Sequence, residues 1–270
     1  MHELLRSLAT GSMVLDLGCA GGSFDSRYLA STVVRFDLER PSPRPSNFVQ
    51  GDAAKLPFAE DSFKLVISNH SLEHVENLAG TIKEIGRVLE PSGALYVAVP
   101  DAATVTDKLY RWLARGGGHV NPFYSAPLLA MRIEQATGFE HRATRIICTS
   151  LSFLNRRNQR SIAPRRLLLL GGGTEISLRF LTWCFRLLDR YLGTRLSVYG
   201  WALYFGDVLA GDIDCSTWTN VCVRCGSATP SSQLQELGRV SRNWFGLATY
   251  LCPQCETRNW FTADQPRRTA

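Results

Sequence analysis

Apolar and polar positions along this chain fall into two alternating patterns. Short, nearly continuous apolar runs recur at about 13–17, 33–37, 47–51, 63–69 and 93–99. Such runs, bounded by Gly, Pro, Asp or Asn, mark strands buried on both faces. Between them lie helices, around 22–30 and, most clearly, over 77–89. There Leu78, Ile82, Ile85 and Leu89 share a face, and Pro91-Ser92-Gly93 stops the run. Met1 to Leu8 reads as a short helix. Strand alternating with helix predicts an α/β fold, a Rossmann-like doubly wound parallel sheet.

The pattern continues more loosely. Thr104 to Ala114 reads as a helix ended by Gly116-Gly117-Gly118, and His119 to Ser125 as a turn. Ser125 starts a helix that Gly138 closes after Thr137. Ala143 to Ser150 reads as a sixth strand and Val198 to Phe205 as the last. Pro41 to Pro45 reads as an extended surface loop. Residues 151–197 look like a basic, helical insertion within a domain of 1–212, and a composition change near 213 opens a module spanning 213–270.

The first strand carries the first chemical signal. In Val14-Leu15-Asp16-Leu17-Gly18-Cys19-Ala20-Gly21-Gly22 a buried strand runs into a turn of small residues, followed by a helix start at Ser23 to Leu29. Glycines let a backbone approach a ligand closely, and a helix start offers free N–H groups, so this is a cradle for a nucleotide-like ligand. Asp37 ends the second strand about 20 residues downstream, where a ribose-binding carboxylate belongs.

Three further stretches follow in order: Gly51 to Phe58, Phe63 to Val75 and Glu84 to Leu95. Together the five resemble the class I S-adenosylmethionine-dependent methyltransferases, in particular the branch of the ubiquinone and menaquinone methyltransferases. The resemblance covers roughly residues 10–150, with a weaker echo to about 206. It implies a seven-stranded sheet with its last strand antiparallel, and S-adenosylmethionine as cofactor. It also implies roles: Asp16 near the methionine part, Gly18, Ala20 and Gly22 in the turn, Asp37 on the ribose, Asp52 on the adenine amino group with Ala53 beside it, and Asn69 and His70 under the methyl donor. Ala20 stands where a glycine is usual. Relatives usually carry more sequence before the first strand.

Methyl transfer needs acceptor and donor aligned, and an oxygen or nitrogen acceptor can also need a base. His70, His74 and His119 are the candidates. Some quinone-ring and small-RNA relatives bind a divalent metal through Glu-x-x-Glu-His at this place. Here His70 replaces the first Glu. If the segment begins a helix, His70, Glu73 and His74 share a face that His119 can join; otherwise Glu73 and His74 cap and pack the helix start.

Cys222-Val-Arg-Cys225 and Cys252-Pro-Gln-Cys255 are two CxxC knuckles with 26 residues between them. Each follows a strand-like run, Thr217 to Val221 and Leu247 to Leu251, and a hairpin through Gln233 to Trp244 is expected to fill the gap. Four thiolates in this arrangement suit a closed structural zinc site, so a small C-terminal zinc ribbon is expected. Cys19, Cys148, Cys184 and Cys215 read as ordinary buried or spare thiols. Eight cysteines in a chain with no visible signal segment point to a reducing cytosol.

The 270 residues carry a net charge of +6 and 45% hydrophobic residues, enough for a sizeable core. The charge is local: residues 151–200 hold nine arginines and two acids. Over 174–192, Glu175, Arg179, Thr182, Arg186, Asp189 and Arg190 fall on one stripe, and the apolar remainder of the helix is expected to be buried. It would pack on the sheet or a second copy, or rest on a membrane surface or lipid-linked acceptor, making the protein peripheral to a membrane. Nucleic acid is disfavoured: residues 155–166 interleave no aromatic with their arginines, and the ribbon has few charges at its knuckles.

The expected activity is methyl transfer from S-adenosylmethionine to a small-molecule, glycan or lipid-precursor acceptor, at oxygen. The alternatives are an RNA methyltransferase docking RNA with the ribbon, and an inactive methyltransferase-like scaffold.

Overall fold

A computed structural model of the chain describes residues 1–24, 26, 29–113, 118–157, 173–207, 219–244 and 246–262. In chain order the elements are α1 (His2–Ser7), β1 (Met13–Leu17), β2 (Thr32–Asp37), β3 (Phe48–Gln50), β4 (Phe63–Asn69), α2 (Leu78–Val88), β5 (Leu89–Pro100), α3 (Val105–Leu113), α4 (Ala126–Thr137) and β6 (His141–Cys148). A 3-10 turn at Ser152–Leu154 precedes α5 (Glu175–Leu192), β7 (Val198–Gly206), β8 (Thr219–Val221), β9 (Ala228–Pro230), α6 (Ser231–Glu236), β10 (Val240–Arg242), β11 (Ala248–Leu251) and β12 (Arg258–Trp260). The chain forms two compact units. The first comprises Met1–Pro100, His119–Thr144 and Trp201–Ile213; the second comprises Asp101–Gly118, Arg145–Gly200 and Asp214–Ala270.

In the first unit the strand order is β3-β2-β1-β4-β5-β7-β6. Strands β1 to β5 are parallel, so their carboxyl ends share one edge. Strand β7 runs the other way: its end pairs Asp207 with Gly93 of β5, and its start pairs Tyr199 with Asp101. The interior is apolar on both faces of the central strands, with Val14, Leu15, Leu65, Val66, Ile67 and Val97 fully buried, as continuous apolar runs require. Helix α2 buries Leu78, Ile82, Ile85 and Val88. Gly86 brings α2 close to α4, for an added methyl would meet Thr137.

Most expected elements form within a residue or two. Ser125 caps α4 by accepting from the Leu128 amide, and Gly138 closes it in a left-handed conformation. Three expectations are corrected. Among the described residues of 22–30 there is no helix, only turns and bends. The Phe24 carbonyl, which a helix would use internally, accepts from Arg35 Nη2 at 3.0 Å. Pro91-Ser92-Gly93 does not stop α2; the helix ends at Val88 and the chain is already extended from Leu89 into β5. The stretch from Gln233 to Trp244 begins in α6 rather than in a hairpin, and only Val240–Arg242 pairs with β11.

In the second unit β8 lies beside β6 and β9 beside β8, while β10, β11 and β12 form a separate antiparallel sheet. Helix α5 buries only part of its apolar arc, Leu178 with Leu181 and Phe185 packed beside it, and buries part of its polar stripe as well. Thr182 is buried, Glu175 faces Arg224, and Asp189 accepts from the Leu196 and Ser197 amides at 2.7 Å each. These three members of the polar stripe face inward because each finds a partner there, whereas Arg190 is exposed. Part of the apolar arc, Ile176, Phe180, Tyr191 and Leu192, is exposed instead. Arg160, Arg165, Arg166, Gly116, Gly117, Cys215 and the start of the 217–221 run lie outside the described residues. Among the described residues no helix is long and apolar enough to cross a membrane.

Candidate donor site and metal centre

The residues expected at the donor site follow the carboxyl ends of β1, β2, β3 and β4. Gly18, Ala20 and Gly22 form the turn after β1, all at positive φ. Gly18 sits against Ser71 and Gly22 against the Arg35 guanidinium, both so closely that an added Cβ would force the neighbour to shift. Gly18 and Cys19 amides bond to the Phe36 carbonyl at 2.8 and 3.1 Å, which stitches the turn to β2.

Asp37, at the end of β2, accepts from the Ala20 amide at 2.7 Å and the Glu39 amide at 3.0 Å. A cavity of about 300 Å³ opens beside it, lined by Ala20, Gly21, Asp37, Glu39, Arg40 and Pro41–Pro43. The sequence reading treated Pro41 to Pro45 as a surface loop and missed Glu39 and Arg40. Their position directly after the β2 acid was the available signal. Backbone amides, small residues and a carboxylate around such a cavity fit a ribose-bearing sulfonium cofactor.

Asp16 points elsewhere. It is fully buried, and its Oδ2 accepts from the Ser23 amide at 3.0 Å and from Arg35 Nη1 at 2.7 Å. Burial pushes its carboxyl above the ordinary carboxylate value, against the pull of Ser23 and Arg35. Asp52 makes a local turn, accepting from the Ala54 amide at 2.9 Å. Ala53 lies beside it. Neither they nor Asn69 and His70 line the cavity at Asp37.

His70 directly follows β4 with φ of 57°, a conformation that cannot continue a right-handed helix. Of the two readings, a helix beginning at His70 is not formed: turns follow it, and α2 begins eight residues later with Asn77 as its cap. The Glu73 carbonyl accepts from the Val120 and Asn121 amides at 2.7 and 3.0 Å, and Asn121 Nδ2 donates to the Leu72 and Val75 carbonyls. This staple brings His119 to His74, with ring centroids 5.0 Å apart. Ligand-type atoms of Glu73, His74 and His119 lie within 4.8 Å of one another, a set that can hold a divalent ion. His70 Nδ1 stands 3.6 Å from Glu73 Oε1.

The four knuckle cysteines converge in the second unit. Cys222 and Cys255 sulfurs are 3.6 Å apart, and Cys225 and Cys252 sulfurs 3.7 Å apart. A tetrahedron with Zn–S bonds of about 2.3 Å has edges of about 3.8 Å. The knuckles repeat each other: Gly226 bonds back to Cys222 and Glu256 to Cys252, each bonding residue at positive φ. The donor set and spacing thus fit zinc. Cys19 and Cys148 are different; burial pushes each thiol up to about 12.

A parallel α/β sheet with a small-residue turn after β1 and an acid after β2 defines a Rossmann-like cofactor-binding domain. Residues 15–97 match the family model described as "Methyltransferase domain". Over these residues the chain carries a methyltransferase domain. It is 33% identical over 125 residues to a malonyl-[acyl-carrier protein] O-methyltransferase of Methylococcus capsulatus, covering 41% of this chain and 46% of that one. It is 30% identical over 145 residues to a mitochondrial arginine hydroxylase of Danio rerio, covering 47% and 45%. The chain thus spans less than half the length of these curated relatives. A solved methyltransferase of Archaeoglobus fulgidus shares the fold, at 17% identity over 75% of this chain and 87% of that one, with a TM-score of 0.50.

Proposed function

We propose that the chain transfers a methyl group from S-adenosylmethionine to an oxygen of a small-molecule, glycan, lipid-precursor or acyl-carrier-linked acceptor. The observation that carries this reading is the contact of Asp37 with the Ala20 amide beside the cavity they share. The name of the Methylococcus relative supports an oxygen acceptor.

When bound, the sulfonium cofactor supplies an electrophilic methyl carbon and a good leaving group. Gly18, Ala20 and Gly22 shape the turn that approaches it. Asp37 takes its ribose hydroxyls, with Arg40 and Glu39 on the cavity wall. Asp52 and Ala53 serve its adenine, and Asn69 and His70 its methyl-donor end. Asp16 orders the turn through Ser23. An imidazole nitrogen of His70, His74 or His119 takes the acceptor's proton.

Cys222, Cys225, Cys252 and Cys255 hold a structural zinc that closes the 213–270 module. The exposed Ile176, Tyr191 and Leu192 support a membrane-surface or homodimer contact through 174–192.

The test is calorimetric binding of S-adenosylmethionine and S-adenosylhomocysteine to the wild type and to Asp37→Ala. Binding that is largely lost in the variant supports the donor site. A folded wild type that binds neither molecule refutes it.

A further inference from the structure

The donor reading leaves unused a cleft in the second unit, between α5 and the sheet of β10, β11 and β12. Its volume is about 410 Å³, and Arg179, Phe180, Trp183, Thr249, Arg258 and Trp260 form most of its wall. The rings are tilted rather than edge-on. Phe180 and Trp183 lie 5.9 Å apart at 38°, and Trp183 and Trp260 6.3 Å apart at 31°. Phe180 is 62% exposed, so the cleft offers an aromatic face to solvent.

Among the described residues both arginines meet neutral groups. Arg179 Nη1 donates to the Arg258 carbonyl at 3.4 Å, and Arg258 Nη1 to Ser241 Oγ and Thr249 Oγ1 at 3.2 and 3.0 Å. The neighbouring acids are engaged elsewhere, Glu175 by Arg224 and Glu256 by Arg239. Among the described residues no carboxylate lines the cleft. Two uncompensated cations beside aromatic faces suit a ligand that combines flat rings with negative charge. The same chemistry continues past the cleft, where exposed Arg242 and the 98% exposed Trp244 flank Asn243.

We propose that this cleft binds single-stranded nucleic acid. One base stacks on the aromatic wall, its flanking phosphates meet Arg179 and Arg258, and the strand continues over Arg242 and Trp244. A duplex hides its base faces and has no use for such a wall. A bilayer would meet protruding apolar groups, whereas here the rings line a concavity with hydroxyl and amide groups in its walls. The sequence disfavoured nucleic acid because residues 155–166 lack aromatics; the fold instead joins the rings of α5 to the arginine and tryptophan of β12.

The test is anisotropy of a short labelled oligouridylate titrated with zinc-loaded protein over a range of salt. Unlabelled uridine monophosphate, duplex RNA and phosphatidylglycerol-rich vesicles are the comparison arms. The wild type should bind the strand more tightly than the monophosphate or the duplex. R179Q/R258Q should weaken it at least tenfold and lower the salt slope by about 1.4, at about 0.7 per phosphate contact. F180A and W244A should each weaken it roughly tenfold through lost stacking. The replaced residues are exposed, Arg179 half-buried, and unchanged circular dichroism and zinc content establish folding.

The proposal is overturned if the folded wild type binds no strand, or if all variants bind it equally. It is also overturned if the monophosphate binds as tightly as the strand, or if only vesicles bind. It does not rest on the donor reading, whose failure would show separately as absent S-adenosylmethionine binding heat.

Discussion

Arg35 Nη1 lies 2.7 Å from Asp16 Oδ2, so an arginine of β2 neutralises a fully buried carboxylate of β1. The same guanidinium reaches the Phe24 carbonyl and thereby holds the chain beyond the glycine turn. Arg35→Met should cost about 3–5 kcal/mol, because it strands a buried charge. Urea unfolding measures this. Asp16→Asn added to Arg35→Met should recover part of the loss, and a single-variant cost below about 1 kcal/mol would contradict the pairing.

Gly18→Ala puts a Cβ into Ser71 at a φ of 67°. The turn must shift, so affinity for S-adenosylmethionine should fall at least tenfold by calorimetry. Gly118→Ala, away from the cavity at Asp37 and with nothing within 4 Å of an added Cβ, should be far milder. Equal effects would remove the close approach as the cause.

Asn121 Nδ2 holds the Leu72 and Val75 carbonyls at 3.1 and 2.6 Å. Asn121→Ala leaves both without this donor and should destabilise by roughly 1–3 kcal/mol. Since the staple brings His119 to His74, methyl transfer should fall more than donor binding does. Steady-state rates beside calorimetry test this.

The Glu175 carboxyl lies below its ordinary value of 4.5, chiefly through hydrogen bonds from Arg224. A lowered carboxyl stabilises the fold above its unfolded value and loses that contribution as pH falls through the folded one. Stability should therefore decline below about pH 4.5, and Glu175→Gln should flatten that part of the curve. Thermal melts across acid pH decide; an unchanged slope in the variant counts against the pair.

Metal analysis should find about one zinc per chain, lost in Cys222→Ser/Cys252→Ser. Chelation should expose the buried Tyr250, seen as a change in near-ultraviolet signal. A zinc-free protein with an unchanged melt would refute a structural metal.

Much of the donor half was legible in the sequence. Short continuous apolar runs bounded by turn residues fit strands buried on both faces, and the small residues after β1 mark a tight turn from their own backbone preferences. The caps of α4 were legible because Ser125 and Gly138 act on the backbone next to them. The missing helix at 22–30 was not, because Arg35 takes a carbonyl there from another strand. Nor was the sense of α5. Its polar stripe looked outward by composition, yet Glu175, Thr182 and Asp189 each find partners within the second unit.

By itself, then, the sequence determined the strands of the donor half and helices α2 to α5, where the glycine turn and the acids sit along them, and that four thiols are spaced to share a metal. These depend on backbone preference, apolar periodicity and neighbours a few residues away. Only the tertiary structure decided that Arg35 serves Asp16, that His119 joins His74, and that α5 turns its aromatics towards Arg258 and Trp260. Those outcomes join residues far apart in the chain, and they follow from which groups can leave water with their charges and hydrogen bonds satisfied.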